Sequence, residues 1–310
     1  MKNNTRDSTR FVFIGYFTAV GAAVLSGLMP SVSKPILTNM NPLFFTAIVT
    51  LSPALWFTPI SIRSSENKSM RKGGYLILGG TAIAGNLVAP YFYFLGVSET
   101  TASSAALLAN GEMLFTVLIA TMFFGERLSS KGALALTILA VGIITVVTNL
   151  QFSTSLEALI KPGSLLILLA TALWGLDNNV TSVITDRVNV ARIIQLKALI
   201  AGAGLLLIAF LSRAIIITSA QGLIQVIVFG LIIFSGGAFL SIETLKRLGA
   251  IRTTIVFPIN SMFGLLFAFI LLGENITLLQ IGSVALMMFG IYLLTRRGSV
   301  LKEGILLEQI

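Results

Sequence analysis

Ten apolar runs, separated by short polar loops, occupy nearly the whole 310-residue chain. Each run approaches the roughly 20 helical residues that a hydrocarbon core about 30 Å thick requires. Inside a bilayer the backbone must satisfy its own hydrogen bonds, so these runs predict membrane-spanning helices. The predicted helices cover residues 11–36, 42–62, 73–95, 99–124, 131–148, 163–184, 190–212, 222–245, 250–272 and 277–295. The expected fold class is therefore all-α and integral to the membrane, with ten transmembrane helices.

The composition agrees with a multi-pass protein of the lipid bilayer. Apolar residues make up 55% of the chain, charged residues 11%, and the mean hydropathy is +0.95. The sequence has no His and no Cys, which excludes imidazole or thiolate metal sites, catalytic triads and Cys–His dyads. It also lacks a Gly-rich phosphate-binding motif ending in Lys and Ser or Thr. We therefore expect neither a metal nor a cofactor.

Basic residues fall almost entirely on one side of the predicted bundle. Of the 21 Lys and Arg residues, 17 lie in segments on the side of the N-terminus, whereas Lys161 and Arg213 lie on the other side. Lys34 and Lys197 lie within predicted helices. Because basic loops stay cytoplasmic, this asymmetry predicts a cell-membrane protein with cytoplasmic tails at 1–10 and 298–310. Topology thus accounts for the net charge of +9, and no nucleic-acid partner is expected.

The chain matches itself when it is shifted by 148 residues. The matched positions are Gly27 with Gly175, Asn41 with Asn189, Phe115 with Phe263, Gly125-Glu126 with Gly273-Glu274, and Gly142 with Gly290. A single offset across five helices indicates a duplication, with repeats at 11–148 and 163–297. Because each repeat has an odd number of helices, the second must insert upside down. Inverted repeats are typical of secondary transporters, whose substrate site lies near mid-membrane between the halves.

Several short segments are similar to those of a known family. They are GERLS at 125–129, GENIT at 273–277, LWGLDNN at 173–179, LKA at 196–198 and LGAIRT at 248–253. With the repeat arrangement, they resemble the EamA-type transporters of the drug/metabolite transporter superfamily over about residues 13–297. The resemblance implies a central cavity lined by helices 1, 3, 4, 6, 8 and 9, with helices 5 and 10 peripheral and a small-molecule substrate. It does not name that substrate.

The helix-breaking residues depart from the family pattern in two places. Where the family often has Pro, just after Glu112 and at the matching point of the second repeat, this chain has Met113 and Ser261. Pro258, one helical turn before Ser261, can supply the second bend instead. Further bends that alternating access could use are available at Gly27, Pro30, Pro90 and Gly175.

Glu112 is the first candidate for a functional residue. It lies near the middle of the fourth apolar run, where an acid costs about 2.5 to 3.5 kcal/mol on insertion scales. Intramembrane acids usually serve a function, here as a titratable or cation-facing group of the cavity. The alternative is a protonated acid bonded to a neighbouring helix through Asn110, Asn86 or a hydroxyl.

Asp177, Asn178 and Asn179 form a second polar cluster, on helix 6. Successive residues turn by about 100°, so the three side chains cannot all face one cavity. Asp177 and Lys197 are expected at similar depths on adjacent helices, and an unpaired buried charge is far more costly than a paired one. We therefore predict an Asp177–Lys197 ion pair, either structural or acting as a gate or coupling switch.

Aromatic and amide side chains complete the predicted substrate site. With Glu112, Asp177 and Asn178, the candidates are Trp174, Tyr91, Tyr93, Asn86, Asn110 and Asn260. The aromatic rings could bracket an organic substrate and the amides could bond its polar groups. Tyr91 and Tyr93 fit an interfacial aromatic belt equally well, whereas Trp174 lies too deep for one.

Other charged residues lie near helix ends. Glu243 is expected to pair with Lys246 and Arg247 at the interface. Lys34 is expected to reach the headgroups or a substrate carboxylate. Glu126 and Glu274 are interpreted as structural residues, each preceding a Ser or Thr that can cap the next helix.

Together these features favour a secondary transporter of small organic metabolites that works by alternating access. The acids favour amino acids or related cationic or zwitterionic substrates, and proton coupling through Glu112 is the sharper version of the hypothesis. The alternatives are a facilitative, channel-like uniporter and a membrane-embedded enzyme, although no paired-acid motif or ring of like charge is present. A monomer and a homodimer both remain open.

Overall fold

The computed structural model describes residues 3–63, 72–148, 161–185, 189–215, 219–256, 259–295 and 300–301. We number the helices of these residues α1 to α10, of which α3, α4 and α8 each consist of more than one segment. Their bounds are Asn3–Leu37 (α1), Pro42–Arg63 (α2), Lys72–Glu99 (α3), Ala102–Phe123 (α4), Ser130–Thr148 (α5), Pro162–Thr185 (α6), Val190–Leu211 (α7), Ala220–Val256 (α8), Ile259–Leu272 (α9) and Leu278–Thr295 (α10). The all-α fold class predicted from the sequence is confirmed.

Seven helices of the described chain are long and apolar enough to cross a membrane by length and composition. They are α1 to α5, α7 and α8. The apolar helices α9 and α10 are shorter, and α6 has 24 residues, including the polar Asp177-Asn178-Asn179 run. Length and composition therefore agree with a multi-pass membrane protein.

Two glycines allow close packing between the repeats. A Cβ added to Gly27 of α1 would lie 2.7 Å from the Asn260 carbonyl oxygen of α9, and also 2.7 Å from Phe263 Cβ. A Cβ added to Gly175 of α6 would lie 2.7 Å from the Thr116 amide nitrogen of α4. The offset of 148 residues relates these two contacts, because it pairs Gly27 with Gly175. Each repeat thus places its first helix against the fourth helix of the other.

The last helices of the two repeats pack against each other in the same symmetric way. A Cβ on Gly142 of α5 would meet Met287 Cγ of α10 at 2.7 Å, and one on Gly290 of α10 would meet the Ala135 carbonyl oxygen of α5 at 2.9 Å. Both glycines are needed for close approach of the two backbones.

Repeat-related residues also shape the helix ends. Gly125 and Gly273 have positive φ angles of 71° and 63°, a conformation that glycine adopts at little cost where a helix ends. The amides that follow them, in Glu126 and Glu274, each donate to a helix carbonyl at 3.2 Å. A further pair is formed by the caps of α5 and α10. Ser129 Oγ accepts from the Gly132 amide and Thr277 Oγ1 from the Gln280 amide, both at 3.2 Å.

An aromatic cluster marks the core between α2, α3 and α8. Phe45, Phe94 and Phe229 are at most 1% exposed, and their ring centroids lie 4.9 to 6.0 Å apart. Burial of three large rings at one point fixes α2 and α3 of the first repeat against α8 of the second.

Four helices, α3, α4, α8 and α9, depart from regular α-helix or from their predicted bounds. α3 and α8 each contain a π-helical stretch, at Ala82–Val88 and Phe229–Ser235. α4 is interrupted between its segments Ala102–Leu108 (α4a) and Gly111–Phe123 (α4b), although we predicted a continuous helix. The predicted boundary between 245 and 250 is also wrong, because α8 continues to Val256 and α9 begins only at Ile259.

Both predicted tails contain secondary structure that the prediction did not specify. α1 begins at Asn3, so most of the predicted tail 1–10 is helical. Arg127–Leu128 (β1) pairs with Val300–Leu301 (β2) as a short antiparallel ribbon, which apolar periodicity alone does not predict. Pro258, residues 1–2 and residues 302–310 lie outside the described residues.

Candidate functional site

The interruption of α4 lies directly before Glu112. At Ala109 and Asn110 the helix tightens, and the amides of Asn110 and Met113 donate to carbonyls three residues back, at 3.1 and 3.2 Å. Asn110 Nδ2 donates to Leu107 O at 3.0 Å and to Ser261 Oγ of α9 at 2.7 Å. The break is therefore stabilised by its own side chain and by a contact with the other repeat.

Glu112 lies in the first turn of α4b, where the helix dipole favours a carboxylate. Its Oε1 accepts a hydrogen bond from Asn178 Nδ2 of α6 at 2.8 Å. Glu112 is half-buried and Asn178 is exposed. The partner is thus neither Asn110 nor Asn86, as the alternative prediction had it, but an amide of the opposite repeat. The Glu112–Asn178 pair therefore joins the two repeats and is partly accessible.

Asp177 and Lys197 lie together beside this pair. Lys197 Nζ donates to Asp177 Oδ1 at 2.5 Å, and their side chains are only 5% (Lys197) and 14% (Asp177) exposed. Thr181 Oγ1 accepts from Lys197 Nζ at 2.8 Å and donates to Asp177 Oδ1 at 3.0 Å. The contact that we predicted between Asp177 and Lys197 is present, and its role as structural pair or gate stays a prediction.

The π-helical stretch of α3 provides the opposite wall. Gly85 O accepts from Trp174 Nε1 at 2.9 Å, and the Trp174 ring lies 5.3 Å from that of Tyr93. A Cβ added to Gly85 would fall 2.3 Å from Asp177 Cγ, so only glycine leaves room for the acid. Tyr93 is 1% exposed and supports Trp174 from behind.

The remaining candidates are distributed more widely. Asn260 Oδ1 accepts from Ser261 Oγ at 3.1 Å, which joins Asn260 to the Asn110 contact. Asn86 lies half-buried within the π-helical stretch. The Tyr91 ring is tilted against that of Phe92, with centroids 6.1 Å apart. Tyr91 lies about 200° from Tyr93 around α3, so we no longer group it with Trp174. Asn179 donates to the Thr116 and Gly175 carbonyls and holds α6 against α4.

Three residues at the site were not among our candidates. Thr181 lies four residues after Asp177, a spacing that brings two side chains together on a helix and could have drawn attention to it. Ser261 was noted only as a departure from a proline pattern. No feature of the sequence indicated Gly85, because its importance depends on the contact with α6.

The arrangement suits binding rather than bond chemistry. Within the described residues no group of three or more acidic side chains could hold a metal ion. Asp177 is neutralised by Lys197, so Glu112 carries the remaining charge of the site. One carboxylate beside amides and an indole can bind a cation or a proton.

Comparison with known proteins identifies the family. Residues 13–148 and 161–296 each match the model of the EamA-like transporter family. The chain belongs to the EamA-like transporter family. As an EamA-like protein it is a multi-pass membrane transporter of a small-molecule substrate, and not an enzyme. The two matches correspond to the two repeats recognised from the offset of 148 residues.

Two further similarities extend over nearly the whole EamA-like chain. An "Uncharacterized transporter" of Methanothermobacter thermautotrophicus is 27% identical over 299 residues, which cover 92% of this chain and 87% of that protein. A solved structure, described only as the crystal structure of a protein, matches with a TM-score of 0.65 and 16% identity. It covers 91% of this chain and 98% of its own, and it supports the fold alone.

Proposed function

We propose that this EamA-like protein is a secondary transporter that moves small organic metabolites by alternating access, with Glu112 as the group that binds the transported cation. The favoured substrates are amino acids or related cationic or zwitterionic compounds. The observation that carries the proposal is the hydrogen bond of 2.8 Å between Glu112 Oε1 of the first repeat and Asn178 Nδ2 of the second.

The position of this pair supports a place on the transport path. Exposed polar side chains midway along apolar helices are costly against lipid, and they usually face the bundle interior or a water-filled cavity. Glu112 and Asn178 belong to different repeats, so movement of one repeat against the other changes their contact. Such movement can expose the site to each side of the membrane in turn.

The charge balance supports a cationic group on the substrate. Lys197 neutralises Asp177, and Glu112 receives only neutral donors from the described residues. A substrate ammonium group could take the place of the Asn178 amide at Glu112. The half-buried Trp174 lies on α6, as Asn178 does, and its indole face can attract a cation.

A proton and a substrate cation would compete for the same carboxylate. Such competition links the two fluxes, so a proton gradient could drive the transporter without ATP. The ratio of 17 basic residues on one side of the bundle to two on the other supports cytoplasmic termini in the cell membrane.

The proposal is tested by uptake of a pooled set of labelled metabolites into proteoliposomes, with and without a pH gradient. We compare the wild type with Glu112→Gln, and with Glu99→Gln as a control that removes an exposed acid at a helix end. We expect saturable flux that responds to the gradient in the wild type and the control, and loss of that response in Glu112→Gln. Saturable flux with the same gradient response in all three proteins would reject the role of Glu112.

A further inference from the structure

Glu274, in the loop between α9 and α10, caps a helix of the other repeat. Its Oε1 accepts from the Ala102 amide at 2.7 Å, and its Oε2 accepts from the Ser103 amide at 2.9 Å and from Ser103 Oγ at 2.6 Å. Gln280 Nε2 also donates to Ser103 Oγ, at 3.1 Å. The first amides of a helix have no partner within it, so a carboxylate with three such bonds is a strong contact.

Lys34 of α1 contacts the turn between α3 and α4 on its α3 side. Its Nζ donates to Val97 O at 3.3 Å and to Thr100 O, at the end of α3. Lys34 thus supplies a donor to the last carbonyls of α3, a role that we did not predict for it. A cation at the end of α3 and an anion at the start of α4 both suit the helix dipoles. The turn between α3 and α4 is closed by α1 and by the α9–α10 loop.

Glu126 is the repeat mate of Glu274 and lies at the opposite end of the bundle, because α4 separates it from Ser103. By the offset of 148 residues, its counterpart amides are those of Ala250 and Ile251. These two residues lie inside the continuous helical segment Gly236–Val256, not at a helix start. Within the part of the chain that the structure describes, the Glu126 side chain forms no hydrogen bond. The next residues, Arg127 and Leu128, pair instead with β2.

We propose that Glu274 and Glu126 are alternating latches of the transport cycle. Glu274 closes its end of the bundle in the conformation seen here, and Glu126 caps the amides of Ala250 and Ile251 when the opposite end closes. The proposal rests on alternating access as the proposed function. It assigns the two Gly-Glu pairs a role across the repeats, beyond ending their own helices.

A glycine at the position that matches the N-cap of α4 would allow the second latch to form. Thr101 is the N-cap of α4, and its repeat mate is Gly249. Glycine lowers the stability of a helix interior and is accepted at N-caps, so α8 can break at Gly249 with little cost. A break there frees the amides of Ala250 and Ile251 for Glu126. Each latch forms in one state only, so removing either one shifts the population toward the state that the other latch stabilises.

The chain has no Cys, so a single introduced cysteine can report this shift. Ala106 lies one turn further along α4 from Ser103, is 6% exposed and packs against Gly264 of α9. Ala106→Cys is therefore shielded while the Glu274 latch is closed. We measure its labelling rate by a membrane-impermeant maleimide in intact cells. Asn39→Cys, exposed in the α1–α2 turn, shows whether this end faces the reagent.

We expect Glu274→Ala to raise the labelling rate at Ala106→Cys about tenfold, since even one hydrogen bond to a charged group is worth about that factor. Glu126→Ala should lower the rate, and Glu99→Ala should leave it unchanged. No change with Glu274→Ala, or a rise with both latch variants, overturns the proposal. If Glu274→Ala does not fold, Glu274→Gln is used, and Ala105→Cys, also buried, replaces a poorly tolerated reporter.

Labelling needs no substrate, so failure of the latches and failure of the proposed function are distinguishable. Saturable flux with no change in labelling rejects the latches and leaves the carrier intact. Reciprocal labelling shifts without saturable flux of any pooled compound support the latches and count against the proposed transport activity.

Discussion

Lys197 Nζ lies 2.5 Å from Asp177 Oδ1, and this ion pair between α7 and α6 leaves Glu112 as the uncompensated charge of the site. Both side chains are little exposed, so solvent stabilises each charge much less than it would at the surface. The pair thus determines which acid is left to meet the substrate.

Removing one member of the pair should destabilise the protein strongly. In Asp177→Asn the Lys197 ammonium stays buried without a counter-ion, and breaking a buried pair costs about 3–5 kcal/mol. We expect a marked fall in the temperature at which detergent-solubilised protein leaves the monodisperse peak in size-exclusion chromatography after heating. The double variant Asp177→Asn/Lys197→Met should regain much of the loss.

Glu243→Gln is the matched control for this experiment. Glu243 pairs with Lys246 and Arg247 at 3.2 and 3.3 Å, but Lys246 is 59% exposed. An exposed pair contributes about 1 kcal/mol or less. Equal losses in Asp177→Asn and Glu243→Gln would contradict the account. Flux in the double variant then separates the two remaining roles, because a structural pair is dispensable for transport and a gate is not.

Gly85→Ala should disrupt the site through its contact with α6. The added Cβ would lie 2.3 Å from Asp177 Cγ, and such overpacking costs about 1–3 kcal/mol. Gly79→Ala in the same helix meets nothing within 4 Å, and it should stabilise the helix by about 0.5–1 kcal/mol. The two variants are compared by the same heating assay, and a stability loss in both or in neither would be inconsistent with the packing described.

Trp174→Phe tests the bond between the indole and α3. The variant keeps a ring at the site but loses the donor to Gly85 O, at a cost of about 1 kcal/mol. Trp56, the other tryptophan of the chain, is 38% exposed and packs 5.7 Å from Phe239. Trp56→Phe removes the same atoms at this exposed position, where the bond to Gly85 O is not at stake. It should therefore lower the stability less than Trp174→Phe does. If both variants lose equally, the Trp174–Gly85 bond contributes nothing measurable.

Asn110 and Ser261 should be energetically coupled across the repeats. Each single change to Ala removes the bond of 2.7 Å between them, so the double variant should lose less than the sum of the single losses. For groups in contact this coupling is about 0.5–3 kcal/mol. A double-mutant cycle of unfolding free energies in mixed micelles measures it. Additive losses would show that the break in α4 is not fixed by α9.

The sequence predicted the features that depend on periodicity. Apolar runs located the helices, because a bilayer leaves few other ways to satisfy the backbone. The offset of 148 residues paired Gly27 with Gly175, but we interpreted both as possible helix bends and did not predict the contacts that they make with the other repeat. Similar depth on adjacent helices was enough to anticipate the Asp177–Lys197 contact.

Features that depend on contacts between distant segments escaped prediction. The π-helical stretch at Ala82–Val88 has no distinctive local pattern, and its Gly85 matters only through Asp177 of α6. Glu274 was interpreted as a local structural residue, yet its partners lie more than 170 residues away in α4. Asn178 was a candidate, but nothing in the sequence indicated that it would bond Glu112.

Alternating access is tested most directly by countertransport. Proteoliposomes preloaded with an unlabelled compound that the pooled screen identifies are diluted into a trace of the labelled compound, and its uptake is followed in time. A carrier that exposes one site to each side in turn predicts a transient accumulation of label above equilibrium, which the impaired Glu112→Gln variant reaches more slowly. Uptake that never exceeds equilibrium and is indifferent to preloading would contradict the account and indicate a channel.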